Sequence, residues 1–134
     1  IHAKREGNNM IFTGTHNNNK ISFTTKIDND AWHQNIETGL KHFIKSKNTR
    51  HLFWAIRPKD LKLIKFMVTK VKEEPITVKG KTVNALNVRM QLTGLMALLW
   101  NAHYWFNPET AEFYKFEGAN GPPGTPVTTI IKIK

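Results

Sequence analysis

The sequence predicts a mainly β fold of the α+β class, in which a curved antiparallel meander or half-barrel wraps one amphipathic helix. Three observations support this prediction: apolar and polar residues alternate over several segments, turn residues separate these segments, and one segment has helical periodicity. A chain of 134 residues has the size of one domain, so we expect a single β-rich domain over residues 1–134. Because the chain opens on Ile1 without an apolar leader, we expect it to be a processed or trimmed chain, the C-terminal part of a longer exported one, whose missing front held either an export signal or more of the domain.

Alternation with a period of two indicates strands that have one apolar face each. The alternating apolar sets are Ile21, Phe23 and Ile27, then Leu86, Val88, Met90 and Leu92, and finally Val127, Ile131 and Ile133. Residues 61–71 are apolar on both faces in the middle of the segment, which is typical of a strand covered on both sides.

Short turn signals lie between the predicted strands. Asn17, Asn18 and Asn19 tolerate positive φ, the pair Lys79-Gly80 suits a tight hairpin, and residues 107–110 place Pro second in a type I turn. Residues 118–126 contain three Gly and three Pro and predict a rigid loop. Because these connections are short, we expect neighbouring strands to pair antiparallel as a meander.

Only residues 30–45, approximately, have the pattern of a substantial helix. Its apolar stripe is formed by Trp32, Ile36, Leu40, Phe43 and Ile44. The residues from Asp28 to Asp30 offer capping oxygens at the N-terminal end, and lysines follow at the C-terminal end. We expect the stripe to be buried against the concave face of the sheet.

An aromatic hairpin is predicted around the turn at residues 107–110. Alternation places Trp100, Tyr104 and Phe106 on the face under the helix, and Trp105 on the opposite face. Pure core packing explains the first set, whereas the surplus aromatic residues suit an amphipathic pocket, since Trp and Tyr each carry a polar atom. The candidate ligand-binding residues are Trp32, Trp100, Tyr104, Trp105 and Tyr114.

The strongest concentration of positive charge lies in KHFIKSKNTRH, residues 41–51. With a net charge of +10, the protein favours anionic partners, and Lys41, Lys45, Lys47 and Arg50 are the candidate polyanion-binding residues. Two structural alternatives would also explain these positive charges: they keep the protein soluble, or they interact favourably with the negative C-terminal end of the helix dipole.

Signatures of catalysis and of metal binding are missing from the sequence. There is no cysteine and no nucleophile elbow, phosphate-binding loop or histidine pair with metal-ligand spacing, so we expect no catalytic residues, no metal site and no cofactor. His33 and Glu37 would lie one turn apart on the predicted helix, but no third ligand accompanies them. An enzyme with a pocket at His103, Tyr104 and Trp105 is the weakest hypothesis.

The order of these features resembles a known group of proteins. The features are AWHQNIETGLKHF, HLFWAIRPKDLK, VKGKTVNALNVRMQLTG, WNAHYWFNPETAEFYKFEG and GPPGTPVTTI. This order is similar to that of exported bacterial β-rich proteins of unknown function, which in outline resemble LolA- and LolB-like lipoprotein-carrier half-barrels. The resemblance implies a periplasmic or cell-envelope location and an apolar ligand in the concave face, although bulky aromatic side chains could fill that face.

The sequence therefore supports two functional hypotheses. The first is a non-enzymatic cell-envelope protein that binds a lipid or another amphipathic ligand, or an envelope protein partner. The alternative is a basic module that binds nucleic acid or another polyanion. No apolar run reaches the length of a transmembrane segment.

Overall fold

The computed structural model describes residues 1–57, 60–97, 100–119 and 127–131. The first half contains β1 (His2–Glu6), β2 (Asn9–His16), β3 (Asn19–Lys26), β4 (Ala31–Trp32), α1 (Ile36–Gly39) and α2 (Lys41–Lys45). The second half contains β5 (Arg50–Arg57), β6 (Lys62–Val78), β7 (Lys81–Leu92), a 3₁₀ turn at Gly94–Met96, β8 (Asn101–Phe106), β9 (Phe113–Ala119) and β10 (Val127–Ile131). The mainly β, α+β fold class is confirmed.

The large sheet is a meander. Its strand order is β10-β9-β8-β7-β6-β5-β4, and each strand from β5 to β10 pairs antiparallel with the next. The strand predicted at residues 61–71 forms the first part of β6, which is 17 residues long and continues to Val78. The half-barrel form of this sheet stays a prediction.

The predicted turns lie where the backbone needs positive φ. Asn17 and Asn18 have φ of 51° and 67°, and Lys79 and Gly80 have φ of 53° and 74°, which suits two-residue hairpins. The turn after β8 is one residue longer than predicted, because the Ala111 N–H donates to the Asn107 carbonyl over 2.8 Å. Of the predicted proline loop, residues 120–126 lie outside the described residues, as do residues 132–134 of the last predicted strand.

The prediction of one helix over residues 30–45 is wrong in its first third. Ala31 and Trp32 form β4, which pairs parallel with Phe53 and Trp54 of β5. The helical segment begins after Asn35, whose side-chain oxygen accepts a hydrogen bond from the Thr38 N–H over 2.9 Å. Strand pairing and the packing of the half-buried Trp32 side chain against the small sheet outweigh the helical spacing, as tertiary contacts often do with local propensity.

One face of the large sheet packs against the helical segment. Leu40, Phe43 and Ile44 are buried there, which confirms that part of the predicted stripe. They belong to a cluster that also contains Phe53, Ala55, Val68, Leu86, Val88, Met90, Tyr104, Phe106 and Ala111. Ile36 is partly buried against the same cluster.

The small sheet, of strand order β1-β2-β3, forms a second cluster. Met10 and Phe12 of β2 are fully buried, and Trp32, Trp54, Ile56 and Leu63 of the large sheet pack against them. In β4, Ala31 therefore packs toward the helical segment and Trp32 toward the small sheet, on opposite sides of one strand. None of the helical segments in the described part of the chain has the length and hydropathy of a membrane span.

Candidate polyanion-binding surface

The basic segment, residues 41–50, presents its cations to solvent. Lys41 and Lys45 lie on α2, Lys47 follows the helix, and Arg50 begins β5; all four side chains are exposed. Only Lys45 of these four lies in the last turn of the five-residue helix, so complementing the helix dipole explains little of the cluster. The four predicted polyanion-binding residues are therefore all open to solvent, within ten consecutive residues of the chain.

The basic segment is fixed to the sheet at several points. The side chains of Phe43 and Ile44 are buried beneath it, and the Ser46 hydroxyl donates to the Phe43 carbonyl over 2.7 Å at the end of α2. Lys70 of β6 donates from its Nζ to the Ser46 carbonyl over 2.6 Å and from its backbone N–H to the Thr49 carbonyl over 2.9 Å. Because the backbone is already held in this way, binding a ligand does not have to order it, and the entropic cost that remains is that of the lysine and arginine side chains.

The carboxylates of the protein neutralise lysines and arginines in other places. Ion pairs join Lys4 to Glu6, Arg57 to Asp60, Lys65 to Asp28 and Asp30, Lys72 to Glu74, and Lys115 to Glu117. Within the described ranges, no ion pair reaches any of the four cations of the basic segment. The sequence between Glu37 and Asp60 contains no acidic residue at all.

A pair of histidines lies beside α2. His33, which follows β4, and His51 of β5 share a hydrogen bond between their Nε2 atoms over 3.0 Å. Phe53 packs on both imidazole rings, and Phe43 stacks on His51 with ring centroids 5.4 Å apart. Burial is the main cause that lowers the pKa of each histidine below 6.5. The two residues are 18 positions apart, so no spacing pattern in the sequence indicates this contact.

The five aromatic residues predicted to bind a ligand do not line one cavity. Tyr104 is buried in the large cluster, with Phe116 at a ring-centroid distance of 4.9 Å, and burial raises its pKa to about 12. Trp100 packs edge-on to Phe66 at 5.9 Å on the margin of the same cluster. Trp32 lies in the other cluster, edge-on to Phe12 at 5.5 Å.

Trp105 and Tyr114 lie outside both hydrophobic clusters and make polar contacts. The Trp105 Nε1–H donates to a Glu74 carboxylate oxygen over 2.8 Å, and its ring lies 4.8 Å from the Lys115 Nζ. The Tyr114 hydroxyl accepts from the Asn107 Nδ2 over 3.0 Å. Both polar atoms are thus satisfied within the fold.

The three residues of the enzyme hypothesis, His103, Tyr104 and Trp105, do not lie on one face of the hairpin. His103 and Trp105 project from the face of β8 opposite to Tyr104, so the three side chains do not converge. The His103 Nδ1–H donates to the buried Asn87 Oδ1 over 2.9 Å, which orients the ring.

A cleft of about 410 Å³ lies between the helical segment and the turn after β8. Glu37, Lys41, Glu112 and Phe113 contribute to its lining. None of the five predicted ligand-binding aromatic residues lines it, whereas Lys41 of the basic segment does.

The described residues include no group of three or more His, Asp or Glu with the arrangement of a metal site. His33 lies outside α1, so the predicted one-turn spacing from Glu37 is not formed, and His33 bonds His51 instead. No family model, curated protein or solved structure matches the chain. The resemblance to LolA- and LolB-like half-barrels therefore stays a prediction.

Proposed function

We propose that the protein binds a polyanion, such as single-stranded nucleic acid or an acidic polysaccharide, through the basic segment. The observation that supports this function is the group of four exposed cations, Lys41, Lys45, Lys47 and Arg50, to which no described carboxylate is paired. A linear polyanion gains affinity by releasing condensed counterions when such cations neutralise its phosphates or sulfates. The net charge of +10 adds long-range attraction for the same partners.

Binding of an apolar ligand is the second candidate function. On the face of the large sheet that packs against α2, Tyr104, Phe106 and Phe113 contact one another and lie in or against the buried cluster. These contacts favour a filled face over a lipid cavity. The periplasmic or cell-envelope location and an envelope protein partner are proposals that rest on the sequence resemblance.

The experiment is a titration of fluorescein-labelled single-stranded DNA and of heparin at several salt concentrations. The variant Lys41→Gln, Lys45→Gln, Lys47→Gln and Arg50→Gln removes the four cations. The matched control removes four exposed cations from other surfaces: Lys20→Gln, Lys26→Gln, Lys62→Gln and Lys81→Gln.

We expect wild-type affinity to fall steeply with salt. Loss of four phosphate contacts reduces the slope of log K against log salt on single-stranded DNA by about 3. The control variant should keep most of the wild-type slope. Equal loss in both variants would assign binding to net charge alone, and no binding at low salt would remove the proposed function.

A further inference from the structure

We propose that the His33–His51 pair makes polyanion binding sensitive to pH, by adding a positive charge beside the basic segment when the protein is acidified. This inference rests on the proposed function and concerns the regulation of the same surface. It depends on the hydrogen bond between the two imidazoles, on their position next to α2 and on the charges around them.

The geometry of the pair permits it to take up one proton without losing its hydrogen bond. The Nε2 atoms are 3.0 Å apart, while the ring centroids are 5.2 Å apart, so the two nitrogens point toward each other. In the neutral pair, the Nε2–H of one histidine donates to the lone pair on the Nε2 of the other. After one protonation the same contact becomes a charge-assisted hydrogen bond, whereas a second proton leaves two donors facing each other.

The pair is joined to the basic segment by direct packing. His51 stacks on Phe43 of α2, and the Lys70 Nζ lies 5.0 Å from the centre of the same Phe43 ring while bonding the Ser46 carbonyl. The pair therefore lies directly against α2, and a charged group of that helix, His42, acts on His51 electrostatically.

Some charged groups around the pair favour its protonation, and others oppose it. Asp30, before β4, favours the protonated form of His51, and His42 on α2 opposes it. Lys70 of β6 adds a further positive charge on the side of Phe43. Gly39 of α1 packs against the imidazole ring of His33 and carries no charge.

Burial is the main cause that opposes protonation of each histidine in the free protein. A bound polyanion supplies compensating negative charge, so the complex takes up a proton that the free protein releases. By linkage, affinity then rises as the pH falls, by up to a factor of about ten per pH unit for each proton taken up.

The test measures the affinity for fluorescein-labelled single-stranded DNA from pH 7.5 to pH 5.0 at constant ionic strength, with circular dichroism confirming that the protein stays folded. The variants His51→Gln and His33→Gln remove the pair. His2→Gln is the matched control, because it removes an exposed histidine from the small sheet and leaves the pair and the charged groups around it intact.

We expect wild type and His2→Gln to bind more tightly at low pH, and the two pair variants to lose most of that gain while keeping salt-sensitive binding at pH 7.5. Binding that does not depend on pH, or a pH dependence unchanged in His51→Gln, would overturn this inference and leave the proposed function standing. Absence of DNA binding at every pH would overturn both.

A second measurement does not depend on the variants folding. The imidazole resonances of His33 and His51 in the wild-type protein are followed by NMR against pH, with and without DNA. We expect their titration midpoints to move upward when DNA is bound. Unchanged midpoints in the complex would contradict the coupling.

Discussion

Gly39 of α1 lies directly against the imidazole ring of His33. A Cβ atom at position 39 would overlap the His33 side chain, because it would come closer to the Cγ than real Cβ contacts come. The close approach allows the segment between β4 and α1 to fold back, so that His33 reaches His51 on β5. Gly39 thus helps to build the histidine pair without sharing in its hydrogen bond.

We expect Gly39→Ala to destabilise the protein by about 1–3 kcal/mol, because the added methyl group must displace the His33 ring. Denaturant unfolding measures the change. The neighbouring exposed residue supplies the control, Thr38→Ala, whose side chain makes no such contact. Since Ala is intrinsically the better helix former by about 1 kcal/mol, a Gly39→Ala variant that is more stable than wild type would show that the contact is unimportant.

Acid should weaken the fold in the range where histidines titrate. Burial lowers the pKa of His33, His51 and His103 below 6.5, so the folded protein binds fewer protons than the unfolded chain. The stability that these neutral rings contribute is present above pH 6.5 and is lost as the pH falls through their lower folded-state pKa values. Unfolding free energies at pH 7.5, 6.0 and 5.0 check this.

The triple variant His33→Gln, His51→Gln and His103→Gln should have a flatter profile over that range, because Gln does not titrate. If the unfolding free energy of the variant fell with pH as steeply as that of wild type, groups other than these histidines would cause the acid sensitivity.

A second loss of stability should occur at lower pH and involve Asp28. Its carboxylate accepts hydrogen bonds from Lys65, from the Trp54 Nε1–H over 2.8 Å and from the Asp30 N–H over 3.0 Å, which lower its pKa to about 2. The stabilisation is present above pH 4 and is lost as the pH falls toward 2. Asp28→Asn should therefore be less stable than wild type at pH 7 and lose less between pH 4 and 2, as measured by thermal unfolding.

The buried aromatic core should dominate stability. Phe106 is fully buried between Tyr104 and Phe113, and Phe106→Ala should cost about 3–5 kcal/mol through lost contacts and a residual cavity. Leu95, which is fully exposed in the 3₁₀ turn, provides the comparison, and Leu95→Ala should change stability by less than about 0.5 kcal/mol. Similar costs for both substitutions would contradict the core described for the large sheet.

Local patterns in the sequence were sufficient for most of the strands and turns. Alternation at Leu86, Val88 and Met90 predicts which face of β7 is buried, and Lys79-Gly80 predicts the hairpin between β6 and β7. These features depend on neighbouring residues alone, so a single sequence contains the required information.

Contacts between residues that are far apart in the chain could not be predicted from the sequence. Trp32 has helical spacing from Ile36, yet it joins a strand because Trp54 lies beside it and Phe12 packs on it from the small sheet. The His33–His51 contact likewise depends on the fold bringing β4 next to β5. Exposure of the basic segment could be predicted from its lysines, but only the structure shows that no carboxylate of the described residues is paired with its four cations.

NMR mapping of the contact surface is the most direct measurement of polyanion binding by this protein. Backbone amide resonances of the ¹⁵N-labelled protein are recorded as a short single-stranded DNA is added at low salt, and again after salt is raised. We expect the largest changes within residues 41–50, reversed by salt. Changes confined to the small sheet of residues 2–26, or no saturable change at all, would contradict a binding surface on the basic segment.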